Sequence, residues 1–146
     1  MHAAEYIAQI VEPTVMDLEA NPTSVRHAFL ACVVTFHCID YMADEKSAAQ
    51  LRQEFRDAST DFAAVDRIAH AFKHMRTGHE ESKHIQPLEA AAVMSRPPAF
   101  LDHFVLDVSR LDDPVGGVTI KGETTVDVLD TVKRALAFLR GKLIVG

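Results

Sequence analysis

Residues 24–43 constrain the fold more than any other segment, because they are apolar on almost every side of a helix. Within them, the run Ala28–Met42 is broken at His37 and Asp40. A helix that is hydrophobic all round has to be covered by neighbouring elements, which places it at the centre of a bundle. The sequence therefore predicts a helical bundle around residues 24–43. The one more polar stripe of this helix consists of Arg26, Leu30, His37, Asp40 and Tyr41.

Four other helices are predicted from hydrophobic spacing and from helix start and stop signals. Leu51 and Phe55 lie four residues apart, as expected on the buried side of a surface helix. Gly78 is placed to end the helix that follows them. The predicted helices are 3–20, bent near Pro13; 45–58; about 61–76, capped by Ser59-Thr60-Asp61; and 126–142, capped by Thr124 or Thr125, with Val128, Val132, Leu136 and Leu139 on one side.

The segment before the last predicted helix carries strand and turn signals. The Ala-rich run Leu88–Met94 suits a short helix or an extended piece, and Ser95–Pro98 is expected to be extended because it ends in two prolines. The turn cluster Asp112–Gly117 separates two runs of strand character, Phe104–Val108 and Val118–Ile120. These two runs are predicted to pair as a β-hairpin.

The length of 146 residues and a hydrophobic content of 48% suit one domain with a single core. We therefore predict a single helical domain, residues 1–146, of the mainly α class. It is a helical bundle of four to five helices with a short β-hairpin before the C-terminal helix. Cys32 and Cys38 are six residues apart, a spacing that turns them away from each other on a helix, so we expect buried thiols and no disulfide.

The chain also carries signals about its location and its partners. No apolar run reaches 18 residues without a polar break, and the N-terminus lacks the basic and apolar regions of a signal peptide. We therefore expect no membrane span and a cytoplasmic location. The net charge of −6 gives no evident DNA-binding patch. A local cationic surface that meets RNA is compatible with this charge.

The predicted helix of residues 61–76 has two distinct faces. A polar face opposite an apolar one is ordinary on a surface helix, and that is one interpretation. Two features favour a functional site: His70 and His74 are one turn apart, and half of the eight histidines fall within residues 70–84. The predicted core side consists of Phe62, Val65, Ile68, Ala69, Phe72 and Met75, and the polar side of Lys73, Asp66, His70, His74 and Arg67.

The spacing of Arg67 and His74, with six residues between them, resembles the Arg-x(4–6)-His motif of the HEPN domains. These are small all-helical bundles, and many are metal-independent ribonucleases of toxin–antitoxin and defence systems. The resemblance covers about residues 60–79 and implies a homodimer in which Arg and His meet across the interface and cleave RNA through its 2′-hydroxyl. It implies that Arg67 steadies the phosphate charge and that His74 or His70 transfers protons, while Lys73 adds positive charge. No cofactor is implied.

Two other functions stay open. His70 and His74 form an i, i+4 pair that can bind one metal ion, with His37 or Asp40 as a third ligand. That arrangement is similar to the DinB-type bundles, whose three histidines bind a divalent metal. Alternatively, the polar face binds a protein partner and the chain is a non-catalytic binding or regulatory protein. His37 is also explained as a core histidine held by Asp40 or Tyr41. Arg96 is explained either as an ordinary loop residue or as a cation on a rigid extended segment.

Overall fold

The computed structural model describes residues 1–43, 47–74, 87–100, 102–103, 105–123 and 125–145. Within them the chain is mainly helical, with a two-stranded antiparallel hairpin before the C-terminal helix, so the predicted fold class is confirmed. The elements are α1 (Ala3–Tyr6), a π-helical turn (Ile7–Val11), α2 (Glu12–Ala20), α3 (Val25–Phe36), α4 (Cys38–Met42), α5 (Ala48–Ala58), α6 (Thr60–His74), a 3₁₀ turn (Ala90–Ala92), β1 (Val93–Arg96), β2 (Gly117–Ile120) and α7 (Val128–Val145).

The N-terminal helix is continuous but changes its hydrogen-bonding pattern in the middle. Helices α1 and α2 are joined without a break by the π-helical turn, which ends two residues before Pro13. Proline has no N–H to donate, and its ring crowds the carbonyl four residues earlier, so a locally wider turn relieves the clash. The change of helical type lies next to Pro13, where the sequence predicts a bend.

The central helix is shorter than predicted, because the backbone leaves the helix at His37. Residues 24–43 form two helices, α3 and α4, of which α3 packs against α2, α6 and α7. Ser24 accepts a hydrogen bond from the backbone N–H of His27 and so caps α3. The predicted polar stripe is confirmed, since all five of its side chains are exposed: Arg26, Leu30, His37, Asp40 and Tyr41.

Helices α5 and α6 begin at clear caps and bury one side each. Ser47 and Gln50 form a reciprocal capping box at the start of α5, and the Ser59 hydroxyl accepts a hydrogen bond from the third residue of α6. Leu51 and Phe55 of α5 are buried, as their spacing predicted. The first residues of the predicted helix 45–58 lie outside the described residues.

Phe62 of α6 lies at the centre of the aromatic core. Its ring meets Phe55 of α5 edge to face at 5.6 Å and lies 6.5 Å from Phe138 of α7. The predicted buried side of α7 is confirmed. The predicted cap at Thr125 is wrong, because the helix starts at Val128 and Asp127 accepts the capping hydrogen bond from Asp130. Thr124, the other predicted cap, lies outside the described residues. Among the described residues, no helix is both long and apolar enough to cross a bilayer.

The two faces of α6 differ from the predicted ones at two positions. Phe72 was predicted in the core but is 52% exposed, with its ring against Phe29 at 4.8 Å. Asp66 was predicted on the polar face but is only 2% exposed. Asp66 is covered because α6 packs against α3, α5 and α7, so that little of its first three turns remains outside. Phe72 lies in the last turn of the helix. Met75 and Gly78 lie outside the described residues.

The hairpin uses a different first strand from the predicted one. Strand β2 pairs with β1, with Val93 opposite Ile120, and not with residues 105–108, the described part of the predicted strand. In that run the described residues 105–108 form turns, Leu106 is 80% exposed and Asp107 has a φ of 64°. A run without a buried face gains little from strand pairing, whereas Val93 and β2 lie buried against the bundle.

Both thiols are buried, free and shielded from reagents, as predicted. Burial raises the pKa of Cys32 and raises that of Cys38 to about 12, so neither is a thiolate at neutral pH. We expect the cysteines of the native protein not to react with a thiol-specific dye at pH 8. In denaturant, each chain should react with two equivalents of the dye. Rapid labelling of either cysteine before unfolding would contradict this burial.

Candidate active site

The polar cluster of α6 is built around the buried carboxylate of Asp66. Arg52 of α5 donates from Nε to Asp66 Oδ2 at 2.9 Å, and its Nη2 lies 2.9 Å from Oδ1. Nη1 of Arg56 lies 3.5 Å from Oδ2. Arg52 and Arg56 are one turn apart on α5, so the same face of that helix presents both cations to Asp66. A buried carboxylate of this kind is tolerated because it is paired.

The charge state of Asp66 follows from these contacts. Burial alone raises the pKa of the Asp66 carboxyl, but the contacts with His70 and Arg52 outweigh it and hold the pKa below its usual value. Asp66 is therefore ionised at neutral pH. Its negative charge lies beneath His70, at the boundary between the core and the polar face.

His70 is held in one orientation by three neighbours. Its Nδ1 lies 2.8 Å from Asp66 Oδ1 and 3.0 Å from the backbone oxygen of Asp66. The imidazole also meets the ring of Phe36 edge to face at 4.9 Å, and the Arg52 guanidinium lies over the same ring at 5.4 Å. His70 is thus partly buried and fixed, whereas a histidine on a solvated face would rotate freely.

His74 and Lys73 complete the outer part of the face. Both side chains are exposed, and the rings of His70 and His74 lie 6.1 Å apart at an angle of 32°. The structure therefore brings together the two predicted histidines. Lys73 directly precedes His74 in the last turn of α6.

Arg67 is engaged elsewhere than the sequence predicted. Its Nη2 donates to Oε2 of Glu123, in the segment between β2 and α7, at 2.7 Å. The guanidinium is mostly covered, and the ion pair fastens α6 to that segment. In this structure the phosphate-binding role predicted for Arg67 therefore requires exchange of Glu123 for the phosphate.

Sequence reasoning missed Arg52, Arg56 and Glu123 as members of the site. The arginine pair carried a usable signal, since two arginines one turn apart on a face next to Leu51 and Phe55 suggest a buried acidic partner. The burial of Asp66 also had a signal in the sequence, because Asp66 lies four residues after Phe62 and therefore on the same side of the helix as this predicted core residue. Nothing local to Arg67 indicates Glu123, which is 56 residues away.

A three-ligand metal site is not assembled in the part of the chain that the structure describes. His37 and His70 both contact the ring of Phe36, but Nδ1 of His37 pairs with Asp40 at 2.7 Å. His37 is exposed, so the core-histidine interpretation is wrong, although its pairing with Asp40 was predicted.

Arg96 forms a second buried polar cluster at the base of the hairpin. It ends strand β1, so the predicted extended backbone is confirmed. It is only 3% exposed, so it is neither an ordinary loop residue nor a cation presented to solvent. Its Nε donates to Asp113 Oδ2 at 2.9 Å and its Nη2 to Asp127 Oδ2 at 2.7 Å. Gly117 has to lack a side chain here, because a Cβ atom would lie 2.6 Å from Asp127 Oδ2. This cluster joins β1, the segment 97–116 and the start of α7.

An open cleft of about 460 Å³ is lined by none of the side chains of the two clusters. Its lining residues are Asp107, Val108, Ser109, Arg110 and Thr125. None of the predicted site residues lines it, and its wide opening to solvent does not shelter a reaction.

Comparison with known proteins adds no relative to this picture. No family model matches the chain, and no curated protein or solved structure matches it either.

Proposed function

We propose that the polar face of α6 cleaves RNA without a metal ion, as the HEPN resemblance implies. The observation that carries the proposal is the pair of imidazoles of His70 and His74, 6.1 Å apart, with an ionised carboxylate behind the first of them. Histidine is the side chain best suited to give and take protons near neutral pH.

The chemistry needs only two proton transfers. One imidazole takes the proton of the 2′-hydroxyl while its oxygen attacks the adjacent phosphorus. The other gives a proton to the 5′-oxygen as the bond between phosphorus and that oxygen breaks. The products are a 2′,3′-cyclic phosphate and a free 5′-hydroxyl, and no cofactor or metal takes part.

Local charge supports an anionic substrate on this acidic protein. The cations of the site are Arg52, Arg56, Arg67 and Lys73, against the two carboxylates of Asp66 and Glu123. Lys73 is exposed and available to the backbone of an incoming RNA. Arg67 reaches a phosphate once the phosphate displaces Glu123.

The test is cleavage of a labelled single-stranded RNA in the presence of EDTA. We expect a 2′,3′-cyclic phosphate product, and we expect His70→Ala and His74→Ala each to lower the rate constant by about a hundredfold. The resemblance implies a homodimer, which light scattering on the same preparation measures.

The matched control is His103→Ala, which removes an exposed histidine of the segment 97–116. It should cleave at the wild-type rate. If EDTA abolishes cleavage, or if both histidine variants keep the wild-type rate, the proposed activity is excluded.

A non-catalytic binding protein is the second candidate, and the segment 97–116 favours it. Leu106 and Leu111 are 80% and 88% exposed there, and neither is needed for the core. Exposed apolar side chains of this size are typical of surfaces that meet another protein. Absence of any RNA cleavage, together with the intact ion pairs of α6, would favour this function.

A further inference from the structure

We propose that Asp66 is a positioning residue that makes His70 the general base and leaves His74 as the general acid. This division of roles rests on the proposed function, which does not itself distinguish the two imidazoles.

The proton of neutral His70 is fixed on Nδ1. Both atoms that face Nδ1, the carboxylate oxygen Oδ1 and the backbone oxygen of Asp66, can only accept hydrogen bonds. Nδ1 must therefore carry the proton, and Nε2 keeps the lone pair. Nε2 is the atom left to accept a proton from substrate.

The negative charge of Asp66 favours the next step as well. When Nε2 takes the proton of the 2′-hydroxyl, His70 becomes an imidazolium beside a carboxylate at 2.8 Å. That charge stabilises the cation as it forms, in a partly buried setting where electrostatic interactions are stronger than in water. Arg52 and Phe36 keep both partners in place.

His74 has no such contacts with the residues that the structure describes. It is exposed at the end of α6, and among the residues that the structure describes none offers it a hydrogen bond. Its imidazolium is free to face the leaving 5′-oxygen and to give up its proton there. His70 thus takes one proton, His74 gives one, and the total is unchanged by the cleavage.

The first experiment needs no variant and no RNA. In ¹⁵N-labelled wild-type protein at pH 8, correlation of the imidazole nitrogens with the ring protons reports which nitrogen is protonated. We expect His70 with the proton on Nδ1 and its Nε2 bare. A proton on Nε2 would overturn the assignment of His70 as an oriented base, whether or not the protein cleaves RNA.

The second experiment uses an RNA in which sulfur replaces the bridging 5′-oxygen. A thiolate leaves without being protonated, so this substrate needs a base but no acid. We expect His74→Ala to cleave it at nearly the wild-type rate, while His70→Ala stays about a hundredfold slow.

Asp66→Asn tests the positioning residue itself on both substrates. This substitution removes the negative charge and preserves the shape of the side chain. We expect it to lower the cleavage rate by about tenfold or more on both RNAs, because the bridging sulfur does not replace a base. The assignment of base and acid is overturned if the RNA with the bridging sulfur restores the cleavage rate of His70→Ala. It is also overturned if His74→Ala cleaves that RNA as slowly as ordinary RNA. If the wild-type protein cleaves neither RNA, the proposed function fails. Comparison of the His70 tautomer in wild type and in Asp66→Asn then still decides whether the Asp66 carboxylate orients the imidazole.

Discussion

Replacing Arg96 with methionine is expected to lower the free energy of unfolding by about 3–5 kcal/mol. Methionine fills much of the space but leaves the carboxylates of Asp113 and Asp127 mostly covered and without their cation. Removing one partner of a buried ion pair costs more than the pair contributes, because the remaining charge stays desolvated. Denaturant titration followed by circular dichroism measures the loss.

The matched control for Arg96 is Arg134→Met. Arg134 also pairs with an aspartate, Asp61 at 3.0 Å, but more than half of its side chain is exposed. Exposed pairs contribute little, so we expect a change of about 1 kcal/mol or less. An equal decrease in the free energy of unfolding for Arg96→Met and Arg134→Met would contradict the role of burial at Arg96.

The effect of Arg96→Met should also depend on pH. Burial raises the pKa of Asp113, but hydrogen bonds from Gly116 and Arg96 outweigh it and hold the pKa below its usual value. A lowered pKa in the folded state gives stability that is present above the unfolded pKa and is lost as the pH falls through the folded pKa. The difference between wild type and variant should therefore be complete at pH 7 and shrink below about pH 4.

Replacing Phe62 with alanine is expected to cost about 3–5 kcal/mol, whereas the same change at Phe72 should cost about 1 kcal/mol. Phe62 is fully buried between Phe55 and Phe138, so its removal opens a cavity that these rings cannot close. Phe72 is half exposed and loses only its contact with Phe29.

The two phenylalanine variants form a comparison within one helix. Both residues fell on the predicted core side of α6, so the sequence alone expects equal losses. Thermal unfolding of the two variants under one condition decides between that expectation and the structure. A loss at Phe72 as large as that at Phe62 would show that Phe72 is covered in the folded protein.

The helices could be predicted because their signals are local. The spacing of Val128, Val132, Leu136 and Leu139 and the caps at Ser24 and Ser59 lie within a few residues of the elements that they define. The partner of β2 could not be predicted in this way, since strand pairing is a contact between distant segments. Residues 105–108 carry strand-forming side chains but have no buried face to place.

The candidate site was predictable in part, for the same physical reason. The spacing of His70 and His74 on one helix face follows from the helical period, and the structure has their rings side by side. The burial of Asp66 depends on Arg52, which lies on another helix 14 residues away. A helical wheel assigns each charged residue to solvent and does not include a counterion from a neighbouring helix.

The contacts of Arg96 separate two parts of the chain that can change independently. The segment 97–116 leaves the hairpin and returns to it, and its ends are joined where Arg96 meets Asp113 and where the N–H of Ala99 donates to the Asp113 carbonyl at 2.8 Å. Because the two ends of this segment are held together, insertions or deletions between residues 100 and 112 should cost little chain entropy and leave the packing of the helical bundle unchanged. Foreign peptides grafted there should therefore leave the bundle folded.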